Sequence, residues 1–430
     1  MRVDLDSDQD SLGRVRPPRR GQARGRRPRV DMAVLGGFAA VVLAGCGGSG
    51  SDDVAGGTFS VRDSAGVRII ENSTPAWKQG KGWRLSQKPA AQIGVVEGDR
   101  RYVFSRITAG VLLPDGGFAV ADGSATVRAY GNRGGFRWTS GRKGRGPGEF
   151  ERISSIELYS GDSLLVFDGA SPRFSVLTDQ GRYVRSGKLP EPGALGHGAS
   201  AALPLPDGSI MVVSGGSMAL LTGRIAPGYA READPAEHLA ATGELLEAIG
   251  PFPGTEWYIT KRTVGPAPFA HVTSYAVRDS ALVVGTGEET SVGVYSSDGR
   301  LLESVRWRGG DLAATGSDVE AYRQAQLARA RDAEQRRMTE ARLAGMTMPK
   351  RIPAYSNVAI DGDRDLWVGG YQLPGGAGRS WSVFSPAGQL LGTVPFPARF
   401  RVLDIGSSSV LGVWTDGEDV EHVRVYAIEK

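Results

Sequence analysis

The stretch LYSGDSLLVFD, from Leu158 to Asp168, places a short polar segment before a run of apolar residues. It aligns with LLPDGGFAVAD (Leu112–Asp122) and with LPDGSIMVVS (Leu205–Ser214). In each stretch, Gly and Asp stand where a tight turn needs a positive φ, and a short apolar run rich in strand-forming residues follows. The three stretches therefore predict the same strand–turn–strand unit, repeated along the chain.

GDSL is also the signature of a hydrolase family whose serine is the nucleophile. Ser163 is therefore either a nucleophile or a turn residue. In the alignment Ser163 takes the place of Gly117 and Ser209. Such a hydrolase would also need an Asp-x-x-His pair near the C-terminus, but the only late histidine, His422, lies in DVEHVRVY, which alternates like a strand. We interpret Ser163 as a turn residue and predict no catalytic residue in this motif.

A second motif, an aromatic residue followed three positions later by an aliphatic one, recurs with the hairpin. Five copies follow this pattern, and Leu195-Gly-His-Gly fits the sixth place less well; the intervals between the six places are 46, 45, 74, 86 and 45 residues. Insertions account for the two long intervals, so the unit is about 45 residues long and is present six times. The third residues of the six copies are Arg106, Arg152, His197, His271, Asn357 and Val402.

Each unit contains about four short strands. Alternating segments such as VGVYS (Val292–Ser296) and WSVFS (Trp381–Ser385) have the period of half-buried strands and end in turn residues. Four strands per 45-residue unit, repeated six times, predict an all-β, six-bladed β-propeller over residues 58–430. We expect strands within residues 58–96 to complete the last blade, because the final unit stops short at Lys430.

Two insertions interrupt the repeat. The first, near residues 218–256, has no regular pattern. The second, at about 312–349, predicts one helix from Ser317 to Gly345 between blades 4 and 5, with Ser317 and Glu320 as its capping box. We favour a solvated helix packed along an edge over a lid or a partner-binding arm, because charges cover most of its faces.

The N-terminal region has the pattern of an export signal. An arginine-rich run (Arg14–Arg29) precedes a 13-residue apolar run (Met32–Ala44), which is too short to span a bilayer. Leu43-Ala44-Gly45-Cys46 resembles the bacterial lipobox. The predicted organisation is a signal peptide at 1–45, a lipidated tether at 46–57 starting with Cys46, and the propeller. The predicted location is the cell envelope, anchored in the outer membrane through lipid.

The charge balance gives no support for nucleic-acid binding. The formal net charge is +4, but residues 1–31 contain nine Arg and five Asp, and beyond them basic and acidic residues balance at 42 each. A phosphate backbone needs a basic surface, so we expect no nucleic-acid partner.

Two segments carry a family resemblance. GRKGRGPGEF (Gly141–Phe150) resembles the segment between blades of NHL-type propellers. DSAGVRIIENS (Asp63–Ser73) and FRVLDIGSSSVLGVWTD (Phe400–Asp416) resemble bacterial six-bladed propeller lipoproteins, of the superfamily that includes NHL-like and TolB-like proteins. The resemblance covers roughly residues 60–430. It implies the fold and leaves the activity open.

In such an architecture the first strand of each blade lines the central channel, so residues at its start form a ring. Arginine and histidine in that ring would suit a small anion. Our preferred interpretation is a non-enzymatic binding or scaffold module for a small ligand, a glycan or a protein partner. The candidate channel residues are Arg106, Arg152, His197, His271 and Asn357, with Val402 in the sixth place.

The alternative is a metal-dependent channel enzyme, for which a divalent metal ion would be the cofactor. Peptide-amidating lyases of this shape use channel histidines for zinc, but this chain has four His in all and places arginines in the ring. Gluconolactonase-like enzymes use carboxylates and asparagine instead, and Asp122 and Asp168 could supply carboxylates. Strand-end aspartates are more often turn formers, so both roles stay open.

Overall fold

The structure, a computed structural model, describes residues 59–430 apart from 79, 172, 190–197, 216–225, 261–263 and 377, and apart from the side chains of 198–200. The predicted signal peptide, Cys46 and the tether lie outside the described residues, as does His197. None of the helices in the described ranges is long and apolar enough to cross a membrane.

Strands dominate the described chain. In chain order they begin with β1 (Phe59–Ser64), β2 (Val67–Asn72), β3 (Arg84–Leu85), β4 (Ala91–Ile93), β5 (Ile107–Leu112), β6 (Phe118–Asp122), β7 (Val127–Tyr130), β8 (Phe136–Ser140), β9 (Ile153–Tyr159), β10 (Ser163–Asp168), β11 (Arg173–Leu177), β12 (Tyr183–Lys188), β13 (Gly198–Pro204) and β14 (Ile210–Gly215). They continue with β15 (Gly228–Leu239), β16 (Leu245–Ile259), β17 (Val264–Pro266), β18 (Ser274–Arg278), β19 (Ala281–Gly285), β20 (Ser291–Tyr295), β21 (Leu301–Trp307), β22 (Tyr355–Ile360), β23 (Leu366–Gly370), β24 (Ser380–Phe384), β25 (Leu390–Pro395), β26 (Phe400–Ile405), β27 (Ser409–Thr415) and β28 (Glu421–Glu429).

These strands form six sheets, numbered here in chain order. Sheet 1 is β5–β8, sheet 2 is β9–β12, sheet 3 is β13–β17, sheet 4 is β18–β21, sheet 5 is β22–β25 and sheet 6 is β26–β28. Neighbouring strands within each run are antiparallel and consecutive in the chain. Sheet 4 is extended by β2 and β1, and sheet 6 by β3 and β4.

The first strands of the sheets contact one another in a closed circle. β5 contacts β9, β9 contacts β13, β13 contacts β18, β18 contacts β22, β22 contacts β26, and β26 contacts β5. Sheets of antiparallel strands arranged radially around their first strands are the architecture of a β-propeller. The chain is therefore mostly β, with propeller topology.

The second strand of each sheet explains the apolar runs in the sequence. In β10, Leu164 and Val166 pack against sheet 1, whereas Leu165 and Phe167 pack against sheet 3. Successive side chains of a strand point to opposite faces, and here both faces are covered by neighbouring sheets. A strand buried on both faces must be apolar throughout, which is why LLVF follows the turn.

The core is divided in the same way. Its six clusters of buried residues each join two consecutive sheets, and the sixth joins sheet 6 to sheet 1. The largest fully buried side chain, Trp367, lies between sheets 5 and 6. The hydrophobic stabilisation therefore comes from the interfaces between sheets, and each sheet depends on both of its neighbours.

The turns before the second strands of sheets 1 and 3 have the predicted chemistry. Gly116 and Gly208 adopt φ of 81° and 84°, a region that a residue with a Cβ rarely enters. Ser163 begins β10, and its hydroxyl donates to the carbonyl of Ser160 (2.6 Å). The serine of the GDSL motif is thus held in the hairpin turn.

The first insertion forms a long hairpin, which its irregular sequence did not reveal. β15 and β16 pair from Gly228↔Ile259 to Leu239↔Leu245. Only Ala236 to Leu239 of β15 pair with β14, so the part of the hairpin before Ala236 extends beyond the rest of sheet 3. Bulges and three prolines interrupt its alternation, which hid the strand period.

The second insertion contains two helices, α1 (Gly316–Ala328) and α2 (Ala333–Ala344), between β21 and β22. The prediction of one continuous helix was wrong, because Asp332 takes an extended conformation and caps α2 by accepting from the Gln335 amide (2.8 Å). The predicted capping box was also wrong: Thr315 is the N-cap of α1 and Asp318 completes the box.

The helices rest on the extended hairpin of sheet 3. The Tyr229 hydroxyl donates to the carbonyl of Thr347 (2.8 Å), and the Tyr258 hydroxyl donates to that of Gly345 (3.3 Å). Leu343 and Met346 are buried at the end of α2. The two insertions therefore support each other.

The N-terminal segment reaches three sheets. β1 and β2 form a hairpin whose second strand pairs in parallel with β21, so this part of the segment 58–96 extends sheet 4 and not the last sheet. The amide of Trp77 then donates to the Leu391 carbonyl in sheet 5 (2.7 Å). Farther on, β3 and β4 pair with β28 of sheet 6, where the chain ends. Of the four strands in this segment, β3 and β4 pair with the last strand, β28, whereas β1 and β2 do not.

Asn72 joins two sheets at the start of this segment. Its Nδ2 donates to the carbonyls of Arg306 (3.1 Å) and Gly388 (3.0 Å), and its Oδ1 accepts from the Leu390 amide (2.7 Å). We predict that Asn72→Leu lowers the free energy of unfolding by about 2–4 kcal/mol, because buried carbonyl and amide groups lose their partners. Chemical denaturation measures this change.

The matched control is Glu71→Leu, the same substitution at the exposed neighbour on β2. It should change the free energy of unfolding by no more than about 0.5 kcal/mol. Equal effects of the two variants would contradict the role given to Asn72.

Candidate functional site

Arg106 and Arg152 lie immediately before β5 and β9, at the entry to the first strands of sheets 1 and 2. Both residues are exposed. The Arg152 guanidinium donates to the carbonyl of Gly169 (2.8 Å). The Arg106 side chain has no hydrogen-bond partner within the part of the chain that the structure describes. Arg152 is thus engaged by its own sheet, whereas Arg106 faces solvent.

Asp122 and Asp168, considered above as metal ligands, are buried at the ends of β6 and β10. Asp122 accepts from the amide of Ser105 (3.1 Å) and pairs with the Arg128 guanidinium (3.2 Å). Asp168 accepts from the amide of Arg152 (2.9 Å). Each carboxylate therefore fixes the segment that enters the first strand of its own sheet, which is a structural role.

His271 lies three residues before β18 and pairs with a carboxylate. Its Nδ1 is 2.8 Å from Glu256 Oε2, and its backbone amide donates to the same oxygen (2.8 Å). Burial would raise the pKa of Glu256, but the hydrogen bonds from His271 and the nearby positive charges of His271 and Arg231 lower it overall. An ionised Glu256 accepts from Nδ1, so it fixes the orientation of the imidazole ring and keeps a proton on that nitrogen.

Asn357, in β22, connects the predicted ring to a cavity. Its Oδ1 accepts from Arg379 Nη1 (2.9 Å). Arg379 lines a cavity of about 640 Å³ between the two helices, the segment before β18 and the loop between β23 and β24. We call this cavity the arginine cleft. Its lining includes Phe269, Ala270, Tyr322, Gln326, Arg329, Arg342, Tyr371, Gln372 and Arg379.

The charge of the arginine cleft is unbalanced. Arg329, Arg342 and Arg379 line it, and none of the described lining residues is Asp or Glu. Among the described residues, none of the three guanidinium groups forms a salt bridge, and Arg379 Nε is buried without a hydrogen-bond partner. Burial lowers the pKa of Arg379, which reflects the cost of placing a charge there without a counter-ion.

The cleft also offers neutral polar groups beside apolar surface. Tyr322 packs edge-on against Phe269, with ring centroids 5.5 Å apart. Burial raises the pKa of Tyr322, and it raises that of Tyr371 to about 12, so both hydroxyls stay protonated at neutral pH. Gln326 Oε1 accepts from Arg342 (3.3 Å), which orients one arginine across the gap between the helices.

Of the predicted ring, the structure therefore brings Asn357 to the arginine cleft, together with Ala270, the neighbour of His271. Arg106 and Arg152 do not line it. Val402 lines a different cavity, at the first strands of the sheets.

A second cavity, of about 660 Å³, is lined by the first strands of all six sheets. We call it the channel cavity. Its walls are mainly aliphatic, with three carboxyl residues: Glu157 on β9, Asp404 on β26 and Asp361 directly after β22. Asp404 Oδ2 accepts from the Leu112 amide (2.8 Å). Burial raises the pKa of Glu157 to about 8, with a further contribution from the charge of Asp404.

No group of three or more His, Cys, Asp or Glu side chains suitable for a metal ion occurs among the residues that the structure describes. The pairs His271–Glu256 and Glu157–Asp404 provide two potential ligands each. The geometry of the described residues therefore gives the metal-dependent alternative no complete ligand set.

Sequence reasoning missed the residues that define both cavities. Arg329 and Arg342 were taken as part of a solvated helix face, and only the break before Asp332 folds them to one side of a cleft. Arg379 lies in an irregular loop with no motif. Glu157 could have been found from the sequence, because a charged residue within the first strand of a unit is a candidate for the channel lining.

No family model matches the chain, and no curated protein matches it. Several solved structures match the chain at low sequence identity. An exported protein from Bacteroides fragilis is 12% identical over 84% of this chain and 100% of its own, with a TM-score of 0.45. A member of the duf4221 family from Bacteroides vulgatus is 12% identical over 81% and 99%, with a TM-score of 0.47. BamB from Moraxella catarrhalis is 13% identical over 75% and 85%, with a TM-score of 0.35. Identities and scores this low assign neither activity nor ligand.

The raised pKa of Glu157 predicts a pH effect on stability. The folded protein holds a proton at Glu157 up to about pH 8, whereas the unfolded chain releases it near the ordinary value of 4.5. The stabilisation that comes from protonated Glu157 is fully present below the pKa of the unfolded state. It is lost as the pH rises through the pKa of the folded state. We therefore expect Glu157→Gln to raise the free energy of unfolding at about pH 9, on the order of 2 kcal/mol, and to change it little at about pH 4.

Denaturation curves at several pH values measure this difference, with the exposed Glu97→Gln as the control. A constant difference between wild type and Glu157→Gln across this range would contradict the assignment.

Proposed function

We propose that the protein is an exported, lipid-anchored binding module of the cell envelope, with a six-bladed propeller that takes a small anionic ligand in the arginine cleft. The export signal at residues 1–45 and the lipobox ending at Cys46 support the location and the anchor. The six sheets in a closed circle support the blade count, with the helices inserted between blades 4 and 5.

The observation that carries the proposed ligand class is the guanidinium of Arg379, which has no carboxylate partner among the described residues. Among the described residues, Arg278 pairs with Glu303 and Arg231 with Glu288, whereas the half-buried Arg379 has no carboxylate partner and its Nε has no hydrogen bond. A buried charge without a counter-ion destabilises the fold unless an anion compensates it. A carboxylate or phosphate on the ligand supplies that anion and can engage the planar guanidinium through two hydrogen bonds.

The remaining parts of the cleft fit a binding role. Arg329 and Arg342 add positive charge on the side of the helices, and Asn357 fixes the Arg379 guanidinium from the side of the channel. A volume of about 640 Å³ lies within the range of small-molecule pockets, roughly 300–1,000 Å³. A rigid sheet thus positions one charged group, and the helices position the other two.

The test is a thermal-shift titration of the full-length protein with succinate, citrate and inorganic phosphate. An anion at about one hundred times its Kd should stabilise the fold by about 2.7 kcal/mol. We predict that Arg379→Gln removes the shift, because it removes the charge and keeps a polar side chain of similar reach.

The matched control is Arg364→Gln, an exposed arginine that pairs with Asp279. It should keep the full shift. If none of these anions stabilises the wild type, or if both variants respond like the wild type, the proposed site is wrong.

A further inference from the structure

We propose that the arginine cleft recognises an acidic sugar, a pyranose ring that carries a carboxylate. This inference rests on the proposed function and narrows its ligand class.

The first argument is the balance of donors and acceptors. Guanidinium groups only donate, so three arginines alone would suit an anion that only accepts, such as phosphate. The cleft adds the carboxamides of Gln326 and Gln372 and the hydroxyls of Tyr322 and Tyr371, all of which both donate and accept. Sugar hydroxyls also both donate and accept, and they match such a lining.

The second argument is the apolar surface. Phe269, Tyr322 and Tyr371 line the same cavity as the arginines, together with Pro266, Leu373 and Pro374. A sugar ring has C–H faces that pack on aromatic and aliphatic surface, while its edge carries the hydroxyls. A small inorganic anion would leave this surface in contact with water and gain nothing from it.

The third argument is the distribution of the charge. Arg379 is held by Asn357 on β22, while Arg342 is held by Gln326 across the two helices. The positive groups thus stand on different walls of one cavity of about 640 Å³, whose lining also includes the aromatic residues. This arrangement accommodates a ligand longer than one carboxylate, with an acidic group near each wall. A uronic-acid disaccharide meets both conditions.

The experiment compares three probes by isothermal titration on the full-length protein. The probes are digalacturonate, its methyl ester, which keeps the rings but loses the charges, and succinate, which keeps two carboxylates without a ring. We expect digalacturonate to bind at least about tenfold more tightly than either of the other two. Tyr371→Phe and Gln372→Leu together should remove most of this advantage, whereas the control Arg364→Gln, outside the cleft, should keep it.

The outcomes separate the two proposals. If succinate binds in an Arg379-dependent way and digalacturonate binds no better, the anion site stands and the sugar inference fails. If the ester binds as well as digalacturonate, the carboxylates of the sugar contribute nothing and the sugar inference fails; the anion proposal fails as well only if succinate does not bind. Binding of none of the probes by a folded protein also overturns both. The melting temperature of each variant confirms that loss of binding is not loss of fold.

Discussion

The structure depends on the pairing of β28 with the strands that precede the first sheet. A circular arrangement of sheets has no free interface only if its last member is completed and packs against its first. Here β28 pairs with β27 on one edge and with β3 and β4 on the other. Val423 and Val425 of β28 and Ile93 of β4 then share a buried cluster with Phe118 of sheet 1. The chain terminus is thereby tied to residues that precede the whole circle.

The closed circle of sheets also determines where ligands can bind. Because every second strand is buried on both faces, the sheets themselves expose little space, and the described cavities lie at the circle's first strands and under the insertions. The channel cavity collects residues from all six sheets. The arginine cleft combines β17, the loop after β23 and both helices, so elements distant in sequence meet there only because the circle holds sheets 3 and 5 on either side of sheet 4.

The parts that could be predicted from sequence are those fixed by local period and turn chemistry. The repeated hairpin of Leu158–Asp168 follows from apolar runs after Gly- and Asp-rich turns, and the mostly β, propeller-type fold follows from its repetition. The pairing of β2 with β21 could not be predicted, because parallel pairing with a distant strand leaves no local pattern. The arginine cleft was missed because its residues come from a helix break and an irregular loop, whose positions depend on tertiary contacts such as Tyr229 to Thr347.

Amide hydrogen exchange on the intact protein and on a variant lacking residues 58–96 tests the closure most directly. Backbone amides in β5 and β28 lie on the two sides of the junction, and the account predicts that both strands are strongly protected in the intact protein. In the variant, protection should fall in sheets 1 and 6 together, and unfolding should cease to be a single cooperative transition. If β28 keeps its full protection and the variant unfolds in one transition at the same denaturant concentration, the N-terminal strands do not close the circle and the account is wrong.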